Sequence, residues 1–467
     1  RKLEESIDSV LNNGVIDSLA KETGFLKRIR KITPKMFLET LMFKVFSADK
    51  QSLNDHCLSL LFNNAVSIRK QSFDSRFSDE ATEFVKRLVE NQIQSITSID
   101  NTFSIKGFNK VCIQDSTRFG LPDAFENEFK SFGGRSSKAG MQIQFSYDLL
   151  RHKIHTIDID SASVNDRSYA VNNDWIEKDD LVIRDLGYFS MDGFKQIQEK
   201  DSFFLSRAYP RTALFEKHSG KLIRLDLDAL IRKMETNNIE LIEKNIYCGL
   251  DQKMPMRAII QRLPPELKEK RLRQKRRRAA ENKSKSAMSK DYALWAGINV
   301  YLTNTSSKDL PAKQAKDIYS TRWQIELVFK TWKSFYQIDK FKTYKINRMK
   351  CYIYTSLLLA LIHWQVFGFL QKVVFQQYEL LLSLHKYVKY MLHLKTDWIQ
   401  IIRSRKDALI GLIKKTVPLI DQYLIKEKKK NKNSIYSLLK DENTYFRVGE
   451  RESSALSSIP TPNIKKT

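Results

Sequence analysis

Two stretches decide how the chain folds: Val111-Cys112-Ile113-Gln114-Asp115-Ser116-Thr117 and Leu181-Val182-Ile183-Arg184-Asp185-Leu186-Gly187-Tyr188. Each is a short apolar run rich in β-branched residues, the signature of a strand, and each runs into an aspartate. Between them Met141, Ile143, Phe145 and Tyr147 alternate with polar residues, and residues 154–159 form another short run. Turn signals at Gly107, Gly120-Leu121-Pro122, Gly133-Gly134 and Leu149-Leu150-Arg151 separate these runs, which predicts three consecutive strands joined by short connections. A helix over residues 166–175 should follow, then a fourth strand at Leu181-Val182-Ile183, a helix over residues 191–199 and a fifth strand at Phe203-Phe204-Leu205. Strands paired first by hairpins and then linked through helices make a mixed α/β sheet. Functional groups gather at the carboxyl ends of such strands, so Asp115 and Asp185 can meet in one crevice; an aspartate in that place is also often a turn or helix cap.

Working outward, Ile7, Val10 and Leu11, then Phe37, Leu38, Leu41, Met42 and Val45 recur at helical steps with almost no Gly or Pro, so the chain up to about Ile99 reads as helical. Its basic cluster, Lys27, Arg28, Arg30, Lys31 and Lys35, is either a DNA contact or a solvated helix edge. From Ala208 to Leu294 the strand signal turns sparse and polar, and a charge-dense helix over residues 266–290 carries Lys268, Lys270, Arg271, Arg273, Lys275, Arg276, Arg277 and Arg278. That region reads as a mainly β insertion. Sheet-like sequence returns at Gly297-Ile298-Asn299-Val300-Tyr301-Leu302-Thr303, and helices dominate from Pro311. The uncharged residues 351–370 are long enough to span a bilayer. They include His363, Gln365 and Gly368, and nothing else in the chain resembles them, so they read as a buried core helix. Leu380, Leu381, Leu384, Met391 and Leu392 serve either dimerisation or the chain's own core. The run Lys426, Lys428, Lys429, Lys430, Lys432 and the tail after Ser453 read as a solvated stretch and a frayed end.

Composition narrows the class. With 80 Lys and Arg against 54 Asp and Glu, the net charge is +26, which calls for a polyanion. Nucleic acid comes first, since each cation set against a phosphate releases a counterion; an anionic membrane surface comes second. The 42% of hydrophobic residues excludes disorder and low-complexity classes. Cys57, Cys112, Cys248 and Cys351 lie far apart and read as reduced thiols of a cytoplasmic protein. No apolar leader follows Arg1, and the absence of an initial Met places the native start upstream.

The helix expected after Pro311 carries Tyr319, Arg322, Glu326 and Lys333, which at helical pitch fall within about 60° of one another, with Ile325, Val328, Trp332 and Phe335 opposite. The bland reading is an amphipathic helix with a wet face. A carboxylate, two cations and a phenol in one stripe also suit a phosphodiester, supplying a metal ligand and donors for phosphate oxygens. Three carboxylates can hold two divalent cations, and oxygen ligands select Mg²⁺, with Mn²⁺ as substitute. The sequence has no Gly-rich phosphate loop, no G-x-S-x-G and no H-E-x-x-H.

On Gln114-Asp115-Ser116-Thr117, Arg184-Asp185-Leu186-Gly187-Tyr188-Phe189 and Tyr319-x2-Arg322-x3-Glu326-x6-Lys333, the chain resembles DDE transposases of the insertion sequence 4 group, over roughly residues 104–370. The resemblance implies an RNase H-like α/β core interrupted by the insertion and flanked by helical regions. The expected domains are a DNA-binding region over residues 1–100, the core over 101–206 and 297–372, the insertion over 207–296 and a C-terminal, dimerising region over 373–467. It further implies Asp115, Asp185 and Glu326 as catalytic metal ligands and Tyr319, Arg322 and Lys333 as phosphate contacts. Trp295 or Trp323 would stack on a flipped base, and Arg207 would stand near DNA. The implied activity is cut-and-paste transposition through a DNA hairpin, by a homodimer acting on double-stranded terminal inverted repeats and target DNA, with no membrane partner and a location at the bacterial nucleoid. A domesticated relative that binds DNA without cutting is the alternative.

Overall fold

The computed structural model describes residues 2–28, 31–47, 52–96, 104–105, 107–133, 137–210, 212–251, 253–281, 290–378, 380–403, 407–427 and 445–446. Arg30, the run from Lys428 to Lys432 and the tail after Ser453 lie outside the described residues. At the centre, β1 (Val111–Leu121), β2 (Ala139–Asp148) and β3 (Ile154–Ser161) pair antiparallel in chain order. β4 (Leu181–Arg184) joins the free side of β1 in parallel, and β5 (Phe203–Arg207) joins β4 in parallel through the helix Met191–Glu199.

The sheet does not stop there. β6 (Leu214–His218), β7 (Lys221–Arg224), β8 (Leu241–Cys248), β9 (Met254–Arg262) and β10 (Ile298–Thr303) extend it to ten strands in the order β3-β2-β1-β4-β5-β10-β9-β8-β6-β7. β10 bridges the two halves, antiparallel to both β5 and β9. The strands from residues 208–294 therefore continue the same sheet, because β5 would otherwise leave a bare edge of unpaired amides.

Alternation along the strands builds a core on each face. Val111 and Ile113 of β1, Leu181 and Ile183 of β4 and Leu205 of β5 point into one core; Val182 and Phe204 point into the other. The first core is completed by N-terminal helices, among them Pro34–Phe43, capped by Thr33, and Asp79–Ser95, capped by Ser78. The second holds helix Leu227–Thr236 and Trp295.

The structure corrects some of the expected bounds and bears out other readings. The helix over residues 166–175 shortens to Asp166–Tyr169, because the following backbone and Asn173 are drawn away to bond Arg184. The charged helix is Pro265–Glu281, with residues 282–289 outside the described set. β1 does not end before Asp115 but runs through it, since β2 pairs with it along the whole length. The apolar helix spans Ile346–Tyr378 and is buried against helices Pro34–Phe43 and Asp79–Ser95 and, through Trp364 on Phe145 and Tyr147, against the sheet, so it is the core helix that was expected. Tyr387, Val388 and Met391 of helix Leu384–His393 enter the same core, so that apolar face is covered by its own chain.

Two core histidines, His56 and His363, and two half-buried ones, His152 and His155, make stability pH-dependent. Burial pushes His363, His56 and His155 down to about 3 and His152 to about 4, from an ordinary value near 6.5. The folded state thus binds fewer protons than the unfolded chain between those values, so stability is present above pH 6.5 and lost as pH falls. From pH 7 to pH 5 this amounts to about 2 kcal/mol per histidine at most. Asp115, whose carboxyl burial raises to about 7, acts in the opposite sense and offsets about one histidine, so the urea midpoint should still fall over that interval, and His363→Phe should flatten the profile; an unchanged slope in that variant would show that the ring is not held neutral.

Candidate active site

Register places the two aspartates level. The parallel pairing of β1 with β4 ends at Gln114 opposite Arg184, and Asp115 and Asp185 are the next residues on each strand. Both continue the parity of the inward residues, Ile113 and Ile183, so both project from the face that carries the first core. Across β2, the partner of Asp115 is Phe145. Its ring lies 5.0 Å from Trp332 and 6.2 Å from Phe329, which seats helix Trp323–Ser334 over this part of the sheet. With Ile325 and Val328 also buried, Glu326 is turned toward the strand ends.

The stripe does not lie on one uninterrupted helix. Helices Ala312–Ser320 and Trp323–Ser334 meet at a tightened turn, where Thr321, Arg322, Gln324 and Ile325 bond three residues back and Thr321 Oγ1 donates to Ile318 O at 2.6 Å. Tyr319 lies on the buried face of the first helix with Ala315 and Ile318, 5.2 Å from Tyr301 in edge contact. Arg322 is swung into the carboxylates.

There its three nitrogens face three different acids. Nη1 donates to Asp115 Oδ2 at 2.7 Å, Nη2 to Glu326 Oε1 at 2.6 Å, and Nε lies 3.6 Å from Asp185 Oδ1. Asp115 is only 15% exposed and Arg322 17%, whereas Glu326 at 56% opens to the groove. Burial pushes the Asp115 carboxyl up to about 7, against the lowering effect of Arg322 and of the Ser116 N–H at 2.8 Å; Asp185 and Asp166 push it further up. Burial opposes charge on Arg322, but Asp185 and Asp115 outweigh it and hold the guanidinium firmly protonated. An open groove of about 520 Å³ runs over this cluster, rimmed by Lys330 and Lys333.

The other expected residues spread around it. Lys333 Nζ donates to Arg118 O at 2.7 Å, at the rim. Arg207 stands opposite Tyr301 in the sheet; its Nε and the Tyr319 hydroxyl are buried with no hydrogen-bond partner among the described residues. Trp295 is 8% exposed and packed in the second core, so the stacking role offered for it would require that core to open. Trp323 is half-buried, with Lys426 Nζ 5.2 Å from its ring.

Sequence reasoning missed the layer behind the carboxylates. Asp166 accepts from Ser116 Oγ at 2.7 Å, Gln142 Nε2 at 2.6 Å, Gln144 Nε2 at 3.0 Å and Arg118 Nη2 at 3.0 Å. Tyr188, at the end of the short turn that starts at Asp185, donates to Gln144 Oε1. A Cβ on Gly187 would stand 3.2 Å from Asp166 Oδ2, so the turn needs glycine to come this close. Arg184, fully buried, donates to Gln114 Oε1 at 2.7 Å, Ala170 O at 2.9 Å and Asn173 Oδ1 at 2.5 Å. The polar half of the β2 alternation was the available signal, but such a pattern normally marks a wet face.

The transposase DDE domain family matches residues 106–362, which is more than half of the chain. The chain belongs to the DDE transposases. It is 26% identical over 465 residues to the transposase for insertion sequence element IS231B of Bacillus thuringiensis subsp. berliner, covering 95% of this chain and 96% of that protein. It is 30% identical over 392 residues to the transposase for IS1151 of Clostridium perfringens, covering 77% and 79%. A structure of the piggyBac transposase synaptic complex with hairpin DNA aligns with TM-score 0.45 at 11% identity over 88% of this chain and 84% of that one. As a DDE transposase the protein is an enzyme that cleaves and transfers DNA, and the family uses divalent metal ions.

The donor set of this transposase fits such ions. Three carboxyl groups converge on a single guanidinium, so the acids outnumber the cation among them, and all the facing ligands are hard oxygens. As the side chains stand, no group of three or more His, Cys, Asp or Glu among the described residues is arranged to take an ion directly. The space between the acids is filled by Arg322.

Proposed function

We propose that this transposase belongs to the insertion sequence 4 group and performs cut-and-paste transposition of its element, with Asp115, Asp185 and Glu326 as the catalytic triad. The observation that carries the reading is the convergence of these three acids on the guanidinium of Arg322, just past the point where the parallel pairing of β1 with β4 ends. The strand order β3-β2-β1-β4-β5, with only β2 reversed against its neighbours β1 and β3, supports an RNase H-like core over residues 101–206 and 297–372. Residues 207–296 would be the insertion, with helical regions over 1–100 and 373–467 on either side.

When bound, Mg²⁺ or Mn²⁺ held by the triad would activate a water and neutralise charge on the leaving 3′ oxygen. The chain's own groups position the DNA. Lys330 and Lys333 at the groove rim offer donors to the backbone phosphates of the element end; the resemblance gives Tyr319 and Arg207 the same role, which requires the buried Tyr319 hydroxyl and Arg207 Nε to be uncovered when DNA binds. Arg271 fixes the basic helix to β10 through Ile298 O at 3.0 Å and Asn299 Oδ1 at 2.8 Å. The helix then presents Lys270, Arg273, Lys275, Arg276, Arg277 and Arg278 to solvent, as a second phosphate track. Water would nick one strand, the freed 3′-OH would close a hairpin on the opposite strand, a second water would reopen it, and the 3′-OH would join target DNA. A homodimer at the nucleoid, pairing the two terminal inverted repeats, completes the reading.

The test is incubation of the protein with a labelled duplex carrying the element end, with Mg²⁺, with Mn²⁺ and with EDTA. Nicked and hairpin products with either metal and none with EDTA are expected. Tight binding without cutting, across several end sequences and salt concentrations, would replace this reading by the binding-only one.

A further inference from the structure

The resemblance assigns Arg322 to a DNA phosphate, yet the structure commits it elsewhere. Each nitrogen of its guanidinium addresses a different acid, two of them at hydrogen-bond distance, and it is the group around which Asp115, Asp185 and Glu326 are arranged. Carboxylates this close repel one another in a partly buried site, so they stay together by taking up a proton or by surrounding a cation, and here the guanidinium of Arg322 stands among them. A divalent cation would need oxygens at about 2.0 to 2.6 Å, in the space that the guanidinium now occupies.

We propose that Arg322 is the internal counter-ion of the metal-free transposase: it holds the three carboxylates converged and has to withdraw before divalent cations can take their oxygens. Metal affinity is then set by competition with the chain's own arginine. Withdrawal frees a planar fork of donors beside the groove, suited to a phosphate, so one residue passes from carboxylates to DNA as the site loads. The turn that carries it, Thr321–Arg322 between two helices, is where the helical ladder is already interrupted. The proposal rests on the triad reading above.

The experiment is calorimetric titration of Mn²⁺ into the full chain without DNA, for wild type, Arg322→Gln, Arg322→Lys and Glu326→Gln, with melting curves before and after. Arg322→Gln is expected to bind Mn²⁺ at least about tenfold more tightly than wild type, equivalent to ~1.4 kcal/mol. It should also melt lower without metal and gain more from metal. Arg322→Lys, which keeps the charge but loses the fork, should fall between the two and remains informative if the glutamine variant does not fold. Equal or weaker Mn²⁺ binding by both Arg322 variants, while Glu326→Gln weakens it, overturns the counter-ion and leaves the triad standing. Unchanged Mn²⁺ binding by Glu326→Gln overturns the triad and the proposal together.

Discussion

Glu326→Gln should bind the element-end duplex as tightly as wild type and cut it at least about a thousandfold more slowly, ~4 kcal/mol of lost transition-state stabilisation. Shape is not the cause, because a glutamine oxygen can still accept from Arg322 Nη2 and the helix seat of Ile325, Val328 and Trp332 is untouched. What disappears is the charge of the most exposed acid of the three, the one that opens to the groove. Binding should persist because the phosphates are met by the chain's cations, and removing a negative charge can only help them. Single-turnover cleavage at saturating DNA with Mg²⁺ checks this. A variant that still cuts within tenfold of wild type would remove Glu326 from the chemistry.

Arg184→Met is expected to cost about 3 kcal/mol of stability and to reduce cleavage with it. Two effects compete. Burial lowers the Arg184 pKa to about 10, which is a cost already present in the wild type, and an apolar side chain of similar reach would relieve it. Against this, Gln114 Oε1 and Asn173 Oδ1 would each lose the donor that Arg184 supplies inside the protein, at about 1 to 3 kcal/mol apiece, while Ala170 O would keep the Asn173 Nδ2 donor at 3.0 Å. Two such losses outweigh the relief. Because Arg184 and Gln114 are the residues directly before Asp185 and Asp115, loosening them also lets the two carboxylates drift out of level. Urea midpoints and cleavage rates of the two proteins test this together. A variant as stable as wild type would mean that the buried charge costs more than its three hydrogen bonds return.

How much of this was legible in the residues differs from element to element. The apolar runs at Val111, Leu181 and Phe203 and the alternation from Met141 to Tyr147 announce their strands, because burial on one or both faces imposes that pattern directly. The apolar face of the Glu326 helix announces itself in the same way through Ile325, Val328 and Trp332. By contrast, Gln142, Gln144 and Ser146 look like solvent-facing positions and are fully buried, since the short helix Asp166–Tyr169 sets Asp166 against the two glutamine amides and Ser146 bonds Thr156 on the neighbouring strand. Tyr319 looks like a member of the polar stripe but belongs to the buried face of its own helix with Ala315 and Ile318, because the stripe is divided between two helices.

Local sequence by itself determined most of the strands and helices, the basic helix after Pro264 and which acids stand beside them, because hydrophobic period and residue chemistry act over a few neighbours. Only the tertiary structure decided that Asp115 and Asp185 stand level, that the strands of residues 214–262 prolong one sheet, and that Arg322 lies between the acids. These depend on register and on contacts between residues up to 207 positions apart, such as Asp115 with Arg322. Such pairings are selected by packing and by the cost of leaving buried charges unpaired, terms that act only once the chain has closed on itself.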